Sequence, residues 1–319
     1  MKFTPIALLM VGLLVAGAMA AAPSRESKGR RALPPKWPKS VADVFFPDAR
    51  EKLVGERPNY SAAAKLPERV PLTPAASGRG SDAPAADGSH WSKWISAETL
   101  EDEVKALQLK ISENVTTPAK FKGGGFKDGR RHFTELALLF AIISQYDGDV
   151  RWKSNAGGVR DLMARAGFNC KVGTDASYNE AKLRKDDLEQ LVRGGSISAP
   201  DANPDAKWDK IADRPPLMQR LEEAQQQRIA PATANTGEFS KHADVVLREA
   251  ELLAAIGEAI SQEGFEFSDD ETYVGYAHQM RDAALEIVGA VKGKDYESAR
   301  AASGKIEKAC SGCHEDYRS

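Results

Sequence analysis

Cysteine is scarce in this chain, three among 319 residues, which leaves no disulfide framework to organise a fold. The net charge is only -2, with acids and bases interspersed. No basic patch with interleaved aromatics is present, so nothing points to nucleic acid or to an anionic membrane surface. Long apolar runs are missing apart from one, Ile6 to about Ala16. It is shorter than the roughly 18 residues of a membrane span, and it ends in small residues, Ala18-Met19-Ala20. Residues 1–21 are therefore expected to be a signal peptide. No cysteine follows to take a lipid, and no membrane span is expected after cleavage. A soluble, periplasmic or otherwise exported protein follows.

Alternating β patterns are also absent, and the punctuation of the chain sets its organisation. Ten of the 17 prolines fall between Pro23 and Pro84, so residues 22–94 read as a Pro/Ala/Gly-rich arm or linker. Beyond it, helical periods dominate and the fold class is all-α. Three series step by threes and fours: Phe239, Ala243, Val246, Ala250, Leu253, Gly257 and Ile260; Tyr273, Ala277, Met280, Ala284, Ile287 and Val291; and Ala299, Ala302, Ile306, Cys310, Cys313 and Tyr317. Asp295 is the expected N-cap of the last. "RPPLMQRLEEAQQQRIA", with Pro215 and Pro216 where missing amides cost nothing, supplies a fourth helix. Residues 199–319 are expected to form a four-helix bundle.

A faded internal repeat precedes it. "YNEAKLRKDDLEQLVRGGS" lies over "YESARAASGKIEKACSGCH" at a constant offset of 118, pairing Tyr178 with Tyr296, Ala181 with Ala299, Leu188 with Ile306 and Gly194 with Gly312. Residues 95–198 read as a second, degenerate bundle from an old duplication. Val192, Gly195 and Ser196 stand there in place of Cys310, Cys313 and His314. "GGG" at 123–125 opens no phosphate-binding pattern and reads as flexible.

The chemistry concentrates in "ACSGCHEDYR". Cys-x-x-Cys-His is the attachment sequence for c-type haem: sulfurs about one helical turn apart can form thioethers with two vinyl groups, and the next residue can ligate iron. Zinc would need about four ligands, and no second cysteine pair exists. A thioredoxin-like pair needs a βαβ setting, and a disulfide across so short a span closes little loop entropy.

This sequence resembles the cytochrome c prime family, including its low-spin relatives, whose last helix ends in C-x-x-C-H-x-x-[YF]-[RK]; here these are Cys310, Cys313, His314, Tyr317 and Arg318. The resemblance implies one covalently attached haem c with its iron, held by thioethers at Cys310 and Cys313 and ligated by His314. It places Tyr317 beside the site and Arg318 near the haem edge and its propionates. It also implies that the first helix of the bundle covers the distal face, where Met218 is the candidate sixth ligand, four residues after Arg214, with Leu217 and Leu221 lining the pocket. A methionine on a helix also serves as core filler. With Met218 on the iron the expectation is one-electron transfer with a periplasmic redox partner. With Met218 off it, the expectation is a five-coordinate haem that takes a small gas such as NO or CO. A third reading makes the haem chiefly structural. No acid/base constellation stands out to suggest an enzyme. Family members often dimerise through their first two helices, so a homodimer is possible unless the preceding bundle covers that surface. Cys170 is left over, a small apolar residue or an intermolecular thiol.

Overall fold

A computed structural model describes residues 90–318. The expected signal peptide and residues 22–89 of the expected arm lie outside these residues. Among the described residues there is no strand, and no helix is long and apolar enough to cross a membrane.

The first half consists of α1 (Ala97–Asn114), α2 (Phe126–Gln145), α3 (Ala156–Asn169) and α4 (Asp175–Val192). Local chemistry fixes the ends. The Ser96 side chain accepts from the Thr99 amide at the start of α1, and Thr174 and Ser177 form a capping box at the start of α4, satisfying amides that have no intrahelical partner. The Gly123–Gly125 run is a tight junction into α2 and not the flexible stretch expected from its composition. Gly124 has φ +152°, and a Cβ on Gly125 would lie 2.8 Å from the Asn114 carbonyl oxygen, so glycine alone fits this approach.

The second half holds α5 (Arg214–Glu222), α6 (Ala243–Ser261), α7 (Glu271–Gly293) and α8 (Tyr296–Tyr317). From α5 the chain continues through a π-helical segment, Glu223–Ile229, into Ala230–Ala232. Pro231 explains the widened turn, since it offers no amide to the helix and its ring crowds the carbonyl four residues back. Phe239 lies in a separate short helix, Thr236–Lys241, set off from α6 at His242, so the first apolar series is broken where a single helix was expected. Asp295 caps α8 as expected, accepting from Ser298. Packing starts earlier than composition implied: Trp91, inside the expected arm, is fully buried with its ring 5.6 Å from that of Trp208.

The internal repeat reappears as matched contacts. Tyr178 Oη donates to the Thr116 carbonyl at 3.2 Å, and Tyr296 Oη to the Ala234 carbonyl at 3.1 Å. The Phe121 ring packs on Tyr178 and the Phe239 ring on Tyr296, with centroids 5.7 and 6.0 Å apart. Thr117 caps the turn before Phe121 as Asn235 caps the turn before Phe239. All these pairs keep the offset read from the sequence. From the first turn of the π-helical segment upstream the offset falls by one residue, and buried Leu100, Glu103, Val104 and Leu107 of α1 correspond to buried Leu217, Arg220, Leu221 and Ala224. A single extra residue taken up by the π turn accounts for the change.

The two halves share one apolar core, with α2 packed on α5. Within it lies a charged cluster. Arg220 of α5 donates to Glu135 of α2 at 2.6 Å and to Glu249 of α6 at 2.7 Å, and lies 3.7 Å from Glu103 of α1. Counterpart positions Glu103 and Arg220 thus meet as opposite charges.

Candidate haem site

Helix α8 carries Cys310 and Cys313 half-buried against the core, whereas Ala299, Ala302, Ile306 and Ala309 on the same stripe are fully buried. Burial pushes the Cys310 thiol up to about 11, and burial also raises Cys313, opposed by Arg214. Such thiols stay protonated at neutral pH, unlike the low-pKa thiolates of redox-active pairs. Between them, Gly312 leaves room for the Tyr276 ring: a Cβ there would lie 2.7 Å from ring carbon Cε1. Tyr276 Oη in turn donates to Asp316 at 3.0 Å. His314 is exposed on the outer turn, and its ring enters no hydrogen bond or ion pair among the described residues. Its nitrogens are free to take a metal.

The start of α5, the start of α7 and the end of α8 converge here. The Tyr317 ring packs 5.4 Å from Tyr273 and 5.3 Å from Phe267, and a hydrogen bond to Asp270 pushes its hydroxyl up to about 12. Tyr317 therefore ties the end of α8 to the N-cap of α7. Arg214 lies over the Phe267 ring at 4.8 Å and pairs with Glu266 at 2.9 Å. Leu217 and Leu221 are buried, and Met218 is half-buried at the core edge. Arg318 is exposed just past α8.

The methionine and histidines on the neighbouring helices are engaged elsewhere. Met280 is buried against Gly257, whose Cβ would lie 3.2 Å from its methyl group. His278 meets Ser261 at 3.2 Å and His242 meets Glu238 at 3.2 Å. Cys170 is fully buried, and burial raises its thiol to about 12, which fits a small apolar role.

Tyr273 is the residue that sequence reasoning read only as core. It is 2% exposed, yet its hydroxyl has no hydrogen-bond partner among the described residues. Burial makes the hydroxyl a weaker acid, with Cys313 and then Arg214 as the next influences, so the orphan hydroxyl lies within electrostatic reach of the cysteine pair. A buried hydroxyl without a partner costs about 1–3 kcal/mol. An orphan donor, two apolar-facing thiols and a free imidazole fit a flat apolar group with polar edges, which is what haem is. In the haem-free chain Tyr273→Phe is expected to be neutral or stabilising by up to about 1 kcal/mol. In the haem-loaded chain it is expected to destabilise by a similar amount. Denaturant titration of both forms checks the change of sign, and equal effects in the two would show that the hydroxyl does not face the cofactor.

The first half lacks this arrangement for a structural reason as well as a chemical one. Helix α4 stops at Val192, the counterpart of Cys310, so Gly195 and Ser196 fall beyond its end. Trp152 covers that end, its indole N–H donating to the Leu191 carbonyl at 3.2 Å. Trp152 and Phe267 match each other in their left-handed φ, 66° and 65°, and in a guanidinium laid over each ring, from Arg151 and Arg214.

A four-helix bundle whose last helix presents Cys-x-x-Cys-His defines the class of c-type haem proteins. Residues 209–318 match the family described as Cytochrome C', and the C-terminal region is of that kind. No curated protein and no solved structure matches the chain.

Proposed function

We propose that the chain is an exported monohaem c-type cytochrome, not an enzyme, that carries single electrons to or from a protein partner. The observation that carries this reading is the pairing on α8 of two half-buried thiols with an unengaged imidazole, in the half where α5 brings Met218 to the edge of the same core. Cys310 and Cys313 would hold the cofactor through thioethers and His314 would take the iron. Met218 would supply a second protein ligand to the iron. When bound, the haem supplies the one-electron couple, while the protein sets its potential through axial ligation and burial. Arg214 and Tyr273 offer a cation and a hydroxyl donor to its polar edge.

The visible absorption spectrum, oxidised and reduced, with and without carbon monoxide, tests this. The parent is expected to be low-spin and unreactive to carbon monoxide, and Met218→Ala to become high-spin and reactive. A parent already high-spin and reactive would remove Met218 from the iron and make the protein a binder of small gases.

A further inference from the structure

The charged cluster between the halves is unlike the other ion pairs of this chain. Glu103, Glu135 and Glu249 are 1%, 2% and 0% exposed, and Arg220 is 4% exposed. Three buried carboxylates meet one buried guanidinium, and the further cations beside them, Arg228, Lys110 and Arg248, are only partly buried; a buried carboxyl without a fully buried counter-charge is costly enough that it commonly takes up a proton instead. The pairing is also incomplete: Glu103 Oε1 and Arg220 Nη2 are buried without hydrogen-bond partners, 3.7 Å apart.

The surrounding charges decide which carboxyl takes the proton. Glu249 accepts from Arg220 at 2.7 Å and is also bonded by Arg228. Arg228 also holds Glu223, which stays below the usual carboxylate range although burial opposes this. Glu103 is approached by Lys110 at 3.7 Å and Arg248 at 4.0 Å. Both bases are partly exposed, so they link the cluster to solvent. Glu135 has Arg220 as its hydrogen-bonded cation, and burial, with Glu103 next to it, outweighs Arg220 and Lys110 and lifts its carboxyl to about 7. His132, one turn earlier on α2 near Lys110, Arg131, Asp128 and Glu223, is driven by burial down to about 4 and stays neutral through this range.

Arg220 lies on the same helix as Leu217, Met218 and Leu221, so the cluster adjoins the helix placed against the cofactor. We infer that the Glu103–Glu135–Arg220–Glu249 cluster binds and releases one proton in step with the redox change of the haem, with Glu135 as the proton-carrying group. This rests on the reading that Cys310, Cys313 and His314 hold a haem. On reduction, one electron from a one-electron donor converts iron(III) to iron(II), and one proton from solvent converts the Glu135 carboxylate to the carboxylic acid; oxidation reverses both. The net charge of the interior is then unchanged. Linkage is reciprocal: an ionised Glu135 favours the oxidised, more positive iron, so the potential falls as pH rises through the titration of Glu135. Two of the three carboxylates, Glu103 and Glu135, come from the haemless half. That half is thereby the proton-coupling element of the other.

The test is the reduction potential of the haem-loaded full chain, followed spectroscopically over about pH 5 to 9. The parent is expected to show a fall centred near neutrality, with each tenfold difference in proton affinity between redox states reading as about 59 mV. Glu135→Gln keeps the acceptor for Arg220 and cannot titrate, so it is expected to hold the low-pH potential throughout. Glu103→Gln removes a like charge and is expected to move the midpoint to lower pH. A flat parent, a Glu135→Gln chain with the parent's full dependence, or an unmoved midpoint in Glu103→Gln overturns the inference while leaving the cytochrome reading intact. A chain that matures without haem overturns both.

Discussion

Arg220→Ala is expected to destabilise the protein by about 3–5 kcal/mol, because it leaves buried carboxylates without their counter-charge. Glu135 loses its hydrogen-bonded cation, Glu103 loses one of three nearby cations, and Glu249 keeps Arg228 alone. For a unit of this size the loss corresponds to roughly 6–20 °C in Tm, read by thermal or urea denaturation. A loss below about 1 kcal/mol would mean that the cluster behaves as a solvated surface network. The cost belongs to the broken pair and not to a net benefit of having it. Replacing Arg220 by Met together with Glu103 and Glu135 by Leu is therefore expected to regain most of the stability, since apolar side chains of similar volume substitute well for a buried ion cluster.

The second large effect falls on the cofactor. The double variant Cys310→Ala, Cys313→Ala is expected to yield no covalently attached haem, so that acidified ketone extracts whatever pigment the protein holds. Each single variant is expected to retain one thioether and to resist extraction. The sulfurs lie on one face of α8 about one turn apart and look into the apolar side of the helix, where a flat hydrophobic group gains from burial and a hydrated ion does not. His314→Ala keeps both thioethers and is expected to change the spectrum without releasing the pigment. Haem that stays fixed in the double variant would refute attachment through this pair.

How far these features can be read without coordinates differs from one to the next. Helix α8 was legible in full: Asp295 is its cap, and its stripe of small and apolar residues descends at regular spacing to the cysteines. The repeat was legible through Tyr178 and Tyr296, whose bulk and hydroxyl make them hard to replace once each ties a turn to the last helix of its half. The charged cluster was not, because Glu103, Glu135, Arg220 and Glu249 resemble ordinary helix-surface charges one at a time. A signal did exist. Arg220 sits between Leu217 and Leu221 on the apolar stripe, and Glu135 interrupts "FTELALLF", so each breaks the polar/apolar period where a buried partner must lie. The π turn was hidden for a different reason: Pro231 falls near a helix end, where proline ordinarily signals termination. Tyr273 was recognisable as core, but a hydroxyl's lack of a partner is a three-dimensional fact.

The meeting of Glu103 with Arg220 bears on how such a chain can evolve. When two identical chains associate about a two-fold axis, a position near the axis faces its own copy, so glutamate would face glutamate and arginine would face arginine. Opposite charges at corresponding positions become available once the two copies are no longer identical, as when both are written into one polypeptide and can drift separately. A descendant keeping only the last half would set Arg220 against another Arg220 on a two-fold surface centred at that position. The first half need not retain any chemistry of its own to be kept by selection, because its deletion would bare the apolar core that the two halves share.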